Sequence, residues 1–144
     1  MQIQESIFIQ TAPEEVYNYL IDVENRKDYI PLLDEVIIKG DDPLQVGSQY
    51  IEVATIAGRK LNTTYEITHM VAPQLISVKT VESIFPIMVD LYLELIDEET
   101  KLSLQIDFTL SGIYRIGAPV VNRIVEHQAK SILRRLKYIL EVGE

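Results

Sequence analysis

The chain has 144 residues, 47% of them hydrophobic, no cysteine, and a net charge of −9 from 22 acidic and 13 basic side chains. That length and apolar content suit one folded domain over residues 1–144 and exclude disorder, while the lack of cysteine excludes disulfides, thiolate metal ligands and a cysteine nucleophile. The acidity argues against a nucleic-acid or anionic-membrane partner; the missing span-length apolar run and the alternating start Met1-Gln2-Ile3-Gln4-Glu5, unlike a signal peptide, lead to the expectation of a cytoplasmic protein without an integral membrane segment.

Gln2 to Gln10 alternates as a first strand, with Ile3, Ile7 and Ile9 on one face. Thr11-Ala12-Pro13-Glu14 fits a capping box with Thr11 as N-cap, and Val16, Tyr17, Leu20 and Ile21 supply the stripe of a short helix. Asp22 to about Ile30 reads as a second short helix or turn, ended by Pro31. Glu35 to Lys39 is an edge strand closed by Gly40-Asp41-Asp42-Pro43.

Hairpins follow. Ser48–Ile56 and Arg59–Met70 flank the two-residue turn Ala57-Gly58. This turn places Ile56 opposite Arg59, Ala54 opposite Leu61, Glu52 opposite Thr63 and Tyr50 opposite Tyr65. Val71-Ala72-Pro73-Gln74 leads into Leu75–Val81, pairing Ile67 with Val78 and Tyr65 with Thr80. Asp97-Glu98-Glu99-Thr100, read as a four-residue loop, joins Pro86–Ile96 to Lys101–Ser111. It pairs Leu95 with Leu102, Leu93 with Leu104, Leu91 with Ile106 and Val89 with Phe108, which also sets Asp90 against Asp107 on the opposite face.

Pro119 to about Val142 is one long amphipathic helix. Its stripe is Val121, Ile124, Val125, Gln128, Ala129, Ile132, Leu133, Leu136, Ile139 and Leu140, and Pro119 suits a first turn. Arg134, Arg135 and Lys137 lie toward its end, where the helix dipole favours cations. The expected fold is therefore α+β: a curved seven-stranded antiparallel sheet wrapped on a long C-terminal helix, with two short helices after the first strand.

Several stretches resemble the START-like, polyketide cyclase/dehydrase and lipid-transport superfamily (SRPBCC), whose members share the helix-grip fold. They are Ala12-Pro13-Glu14-Glu15-Val16-Tyr17, Asp22 through Asn25 with Tyr29 and Pro31, Val46-Gly47-Ser48, Tyr65-Glu66-Ile67-Thr68 with Ala72-Pro73, and Leu136-Lys137. The resemblance covers essentially the whole chain and implies a cavity between sheet and helix. It implies one of several activities: passive carriers, ring-closing cyclases, ubiquinone-binding proteins and plant hormone sensors share this fold, which does not choose among them.

Three connections meet at one end of the sheet: Ala57-Gly58, Glu82 to Pro86, and Ser111 to Pro119. This end is the expected cavity mouth, with Ile84 and Phe85 placed to gate it and Gly112 and Gly117 bracketing a segment able to move. Tyr50, Glu52, Thr63, Tyr65 and Thr80 fall on the concave face. A buried Glu52 there would have its pKa raised and would serve as a proton donor or acceptor. A turn one residue longer would instead point Ile51 and Val53 inward and leave Glu52 solvated. Leu91, Ile106 and Phe108 on the apolar strands, with Phe85, Tyr114, Val121, Val125 and Gln128, complete the expected lining. Arg59 and Arg115 stand at the rim, where either could meet a carboxylate or enolate on a ligand or form a surface ion pair.

No metal site is expected, because neither His69 nor His127 has a partner at ligand spacing. No cofactor motif, phosphate loop or Ser-His-Asp arrangement is recognisable. The leading expectation is a binding or transport protein for a small hydrophobic molecule such as a lipid, isoprenoid or polyketide-like compound. The alternatives are a cyclase/dehydrase-type enzyme using Glu52, and a protein-interaction module working through a sheet edge or the Ile51/Val53 face. A second copy of the chain, forming a homodimer, is a further candidate partner.

Overall fold

The computed structural model describes residues 1–40, 43–83 and 85–142. Asp41 and Asp42 of the expected turn, and Ile84 of the expected gate, lie outside them, as does the Tyr114 side chain. The strands are β1 (Gln2–Ile9), β2 (Leu33–Lys39), β3 (Gln49–Ile56), β4 (Arg59–Val71), β5 (Leu75–Thr80), β6 (Ile87–Ile96) and β7 (Glu99–Phe108). Three helices accompany them: α1 (Pro13–Ile21), α2 (Arg26–Tyr29) after a 3₁₀ turn Val23–Asn25, and α3 (Ala118–Glu141), preceded by a 3₁₀ segment Gly112–Gly117. The sheet is antiparallel in the order β1-β7-β6-β5-β4-β3-β2; turn spacing predicts its hairpin neighbours, and the pairing of β1 with β7 completes the seven-stranded helix-grip arrangement that the resemblance implies.

The β3–β4 hairpin has the predicted register, Tyr50 opposite Tyr65 and Glu52 opposite Thr63. Ala57 and Gly58 both have positive φ (52° and 77°), which gives a tight turn whose twist matches that of the strands. Between β4 and β5 the pairs Tyr65–Thr80 and Ile67–Val78 also hold, and the register shifts beyond Ile67, where Thr68 is extra. Such a bulge bends the strand and helps to curl the sheet toward α3.

The β6–β7 register departs from expectation. Its loop is only Asp97-Glu98, both with positive φ (50° and 67°), so Leu93 faces Leu102, Leu91 faces Leu104, Val89 faces Ile106 and Ile87 faces Phe108. Two residues read as loop pair as strand instead. Because the slip is two residues, each side chain keeps its face. Asp90 consequently opposes Gln105 and accepts the Ser77 hydroxyl, and Asp107 opposes Met88, so the predicted clash of two aspartates does not occur.

The capping box is replaced as well. Ala12, not Thr11, is the N-cap of α1, and no side chain caps it. The Thr11 hydroxyl donates instead to the Leu140 carbonyl (2.9 Å), and the Thr100 hydroxyl donates to the Thr11 carbonyl (2.6 Å). A tertiary partner for the hydroxyl has displaced the local one. At the end of α3, Lys137 donates to the Phe8 carbonyl (2.6 Å) and Glu141 (2.8 Å), while the final turn itself holds no basic residue.

Most of the core lies between the C-terminal half of α3, β1 and the β6–β7 hairpin: Ile9, Leu93, Leu102, Leu104, Ala129, Leu133 and Leu136 are buried. Ile124 is 54% exposed, so the helix stripe is narrower than its apolar residues predict. Val53, expected on an exposed face, is buried.

Candidate functional site

Toward its N-terminus α3 stands away from the curled sheet and leaves a cavity of about 850 Å³. A void that size exceeds an ordinary packing defect and falls within the range of small-molecule sites. Its walls come from β6 and β7 (Ile87, Val89, Leu91, Leu104, Ile106, Phe108), from α3 (Val121, Val125, Ile132, Leu136) and from the segment before α3 (Leu110, Ile113, Ile116, Gly117). Phe85 reaches it from the β5–β6 connection.

Against this apolar lining stands one polar group of side chains. Arg26, Tyr29, Glu52 and Tyr65 share the cavity wall. The Arg26 guanidinium Nε donates to Glu52 Oε2, with the two side chains only 13% and 10% exposed. The guanidinium also lies over the Tyr50 ring (5.5 Å to the centroid) and the Tyr65 ring (5.9 Å), and these two rings stack at 5.6 Å. A weakly hydrated planar cation suits this sandwich of carboxylate and π faces better than an ammonium would.

Local sequence explains how Arg26 arrives there. The Asp22 carboxylate accepts the Glu24 N–H (3.3 Å), which starts the 3₁₀ turn, and Asn25 Nδ2 donates to the Tyr19 carbonyl (3.0 Å). The chain then makes the single turn of α2, which stops at Ile30, the extended residue before Pro31. This short, pinned connection holds Arg26 over β3 and β4.

The electrostatics follow from burial. Desolvation works against the Arg26 charge, but the oxygens of Tyr50, Glu52 and Tyr29 outweigh it and hold the pKa above its ordinary value. Burial, with the Glu52 charge adding to it, pushes Tyr65 up to about 12. Tyr50 is raised further, chiefly by burial, despite the opposing Arg26 charge. These phenols are therefore neutral hydrogen-bond donors at neutral pH. The buried Tyr29 and Tyr50 hydroxyls have no hydrogen-bond partner of normal geometry among the described residues.

Among the residues expected at the site, Glu52, Tyr65, Phe85, Leu91, Ile106, Phe108, Val121 and Val125 line the cavity. Tyr50 is fully buried behind them, supporting Tyr65 and Arg26. Thr63 and Thr80 have the predicted strand partners but do not reach the cavity, and Thr80 accepts the Ile87 N–H (3.0 Å) across the β5–β6 connection. Arg59 is exposed at the hairpin turn, and Arg115 is exposed with its Nε donating to the Leu110 carbonyl (3.4 Å). Gln128 is half-buried outside the lining. Sequence reasoning missed Arg26 and Tyr29; the available signal was Glu52 itself, since a buried carboxylate requires a partner. No cluster of three or more His, Asp or Glu side chains able to hold a metal occurs among the described residues, and no helix there is long and apolar enough to cross a membrane.

The model of the family described as polyketide cyclase / dehydrase and lipid transport matches residues 1–141. Similar solved structures include TTHA0849 from Thermus thermophilus, with a TM-score of 0.82 and 17% identity over 97% of each chain. The Zhui aromatase/cyclase from Streptomyces sp. R1128 gives a TM-score of 0.80 at 17% identity, over 99% of this chain and 97% of that one. The ginseng major latex-like protein 151 from Panax ginseng gives 0.75 at 13% identity, over 97% of each. At these identities the likeness shows the fold. No curated protein sequence matches significantly.

Proposed function

Because the chain belongs to the polyketide cyclase / dehydrase and lipid transport family, we propose that it is a cytoplasmic, single-domain protein that binds or carries a small hydrophobic molecule between sheet and α3. The observation that carries this reading is the Arg26–Glu52 pair on the wall of an otherwise apolar cavity of about 850 Å³. The chain's net charge of −9 supports a small-molecule partner over nucleic acid.

An elongated apolar body would bury its surface against Val121, Val125, Ile106 and Phe108, contributing roughly 25 cal/mol per Å². A polar terminus would turn toward Arg26 and Tyr65. A guanidinium carries five N–H donors, and a fork to a carboxylate uses two at most, so Arg26 can hold Glu52 and a ligand oxygen together. The ligand class is therefore an apolar molecule ending in a carbonyl, hydroxyl or carboxylate, such as a lipid, isoprenoid or polyketide-like compound.

The same pair favours a second reading, an enzyme of the cyclase or dehydrase kind. Glu52 would take a proton from carbon next to a carbonyl, and Arg26 and Tyr65 would stabilise the enolate oxygen.

Native mass spectrometry of freshly purified protein should reveal a co-purified small molecule, and a fluorescent fatty acid or isoprenoid should bind the stripped protein. Val125→Trp, which intrudes into the cavity, should weaken that binding without unfolding the protein. Wild-type protein that takes up no fatty acid, isoprenoid quinone or polycyclic aromatic would remove the reading. Glu52→Gln separates the two roles: retained affinity with lost turnover identifies the enzyme, and an unchanged protein dismisses Glu52 from either.

A further inference from the structure

The mouth of the cavity carries an apolar surface that the enclosed site does not account for. Ile113 and Ile116 line the cavity yet are 75% and 83% exposed. They occupy one face of a 3₁₀ segment, where residues three apart eclipse. Val120 and Ile124, 64% and 54% exposed, continue that row onto the first turns of α3 at four-residue spacing. Four large aliphatic side chains contiguous in this way mark an interaction surface, in contrast to apolar residues scattered singly.

Charge identifies the partner. Residues 108–125 contain no Asp or Glu in a chain that holds 22 of them, and they carry Arg115 and Arg123. The β3–β4 hairpin tip lies at the same end of the sheet and adds Arg59 and Lys60, flanked by Ile56 (46% exposed) and Leu61 (50%). Acids stand close by, Asp34 at the start of β2, Glu82 before β6, Asp107 near the end of β7 and Glu126 just past the row and paired with Lys130, but none lies in the segment that bears the exposed apolar row. Aliphatic side chains bracketed by cations fit the boundary between anionic headgroups and acyl chains. The net charge of −9 does not oppose this at close range, because physiological salt screens charges more than about 8 Å away.

We propose that this mouth surface docks on an anionic lipid bilayer, with Ile113, Ile116, Val120 and Ile124 entering the headgroup boundary and Arg115, Arg123, Arg59 and Lys60 meeting phosphates. The docking stands on this surface alone; its purpose, passing a hydrophobic ligand between bilayer and cavity without crossing water, rests on the ligand-binding reading. Ile113 and Ile116 belong to both surfaces, so the lining continues into the docked face.

Vesicle flotation of the full chain tests the docking. Wild-type protein should float with vesicles of phosphatidylcholine and phosphatidylglycerol, bind pure phosphatidylcholine weakly, and lose binding in high salt. Lys60→Gln with Arg123→Gln should lower partitioning about 30-fold, at about fivefold per cation. Val120→Glu with Ile124→Glu should abolish flotation. Both variants avoid the cavity lining, so each should retain wild-type affinity for a soluble fluorescent probe; loss of that affinity with flotation intact would strike the ligand-binding reading alone. Wild-type protein that stays with the aqueous phase overturns the docking. If light scattering then shows a dimer that Val120→Glu/Ile124→Glu dissociates, a second copy covers this face.

Discussion

From Ala129 onward α3 presses its stripe onto β1 and the β6–β7 hairpin, and Ala129, Leu133 and Leu136 are buried. From Ala118 to Val125 the same kind of stripe faces the cavity, where Val121 and Val125 are only half-buried and Val120 and Ile124 reach solvent. One half of the helix satisfies its apolar surface with protein, and the other leaves it available to something else. The difference arises from curvature: a straight rod can follow a curled sheet closely along only part of its length. Stability is thereby weighted toward one end of the element and binding toward the other, with Ile132 and Leu136 touching both core and cavity.

The sharpest exception to this division is the ion pair, which places a structural demand inside the binding half. Arg26→Leu leaves Glu52 buried without its partner and should cost roughly 3–5 kcal/mol in urea denaturation. Adding Glu52→Leu should restore most of that loss. A single-variant cost near zero would mean that the pair is fully solvated and the polar end of the cavity is wet.

The two halves of α3 can be compared directly. Leu133→Ala, at a side chain 2% exposed, should cost roughly 2–5 kcal/mol. Val125→Ala, whose methyl groups border the cavity, should cost well under about 1.5 kcal/mol because few protein contacts are lost. Equal costs would break the comparison.

Alkaline titration probes the polar wall. Tyr65 lies at about 12 when folded, against about 10 for an unfolded phenol, so the native state holds its proton more tightly. The stability this contributes is fully present below pH ~10 and is lost as pH rises toward ~12, a change of roughly 3 kcal/mol. Tyr65→Phe should flatten that part of the stability curve, and tyrosinate absorbance should rise late in the wild-type protein.

The smallest expected effect lies at the closed end. Thr11→Val removes the hydroxyl that donates to the Leu140 carbonyl and should cost about 1 kcal/mol. Thr11→Ser should keep most of that stability; equal losses would return Thr11 to a merely local role.

How much of this was legible in the chain varies by region. Ala57-Gly58 admits a two-residue turn, so the β3–β4 register and the inward aim of Glu52 followed from counting. Asp97-Glu98-Glu99-Thr100 offered no glycine, and the chain makes the tight turn with Asp97 and Glu98 at positive φ, so the register was misplaced while the faces survived. Thr11 and Glu14 matched a local cap, yet a carbonyl on α3, distant in sequence, took the hydroxyl. Phe85, Val121 and Val125 were placed in the cavity by pattern alone, whereas Arg59 and Arg115 are exposed outside its lining at the mouth end of the sheet and Gln128 is half-buried outside it.

The hairpin partners, the long amphipathic helix and the identity of the apolar faces are written in the chain, because turn chemistry and side-chain periodicity are local properties. That Arg26 meets Glu52, and that the helix stripe is covered at one end and open at the other, emerges only when the elements are assembled in space. Both depend on how far the sheet curls and where a four-residue helix is pinned, and neither distance is encoded in any single stretch of residues.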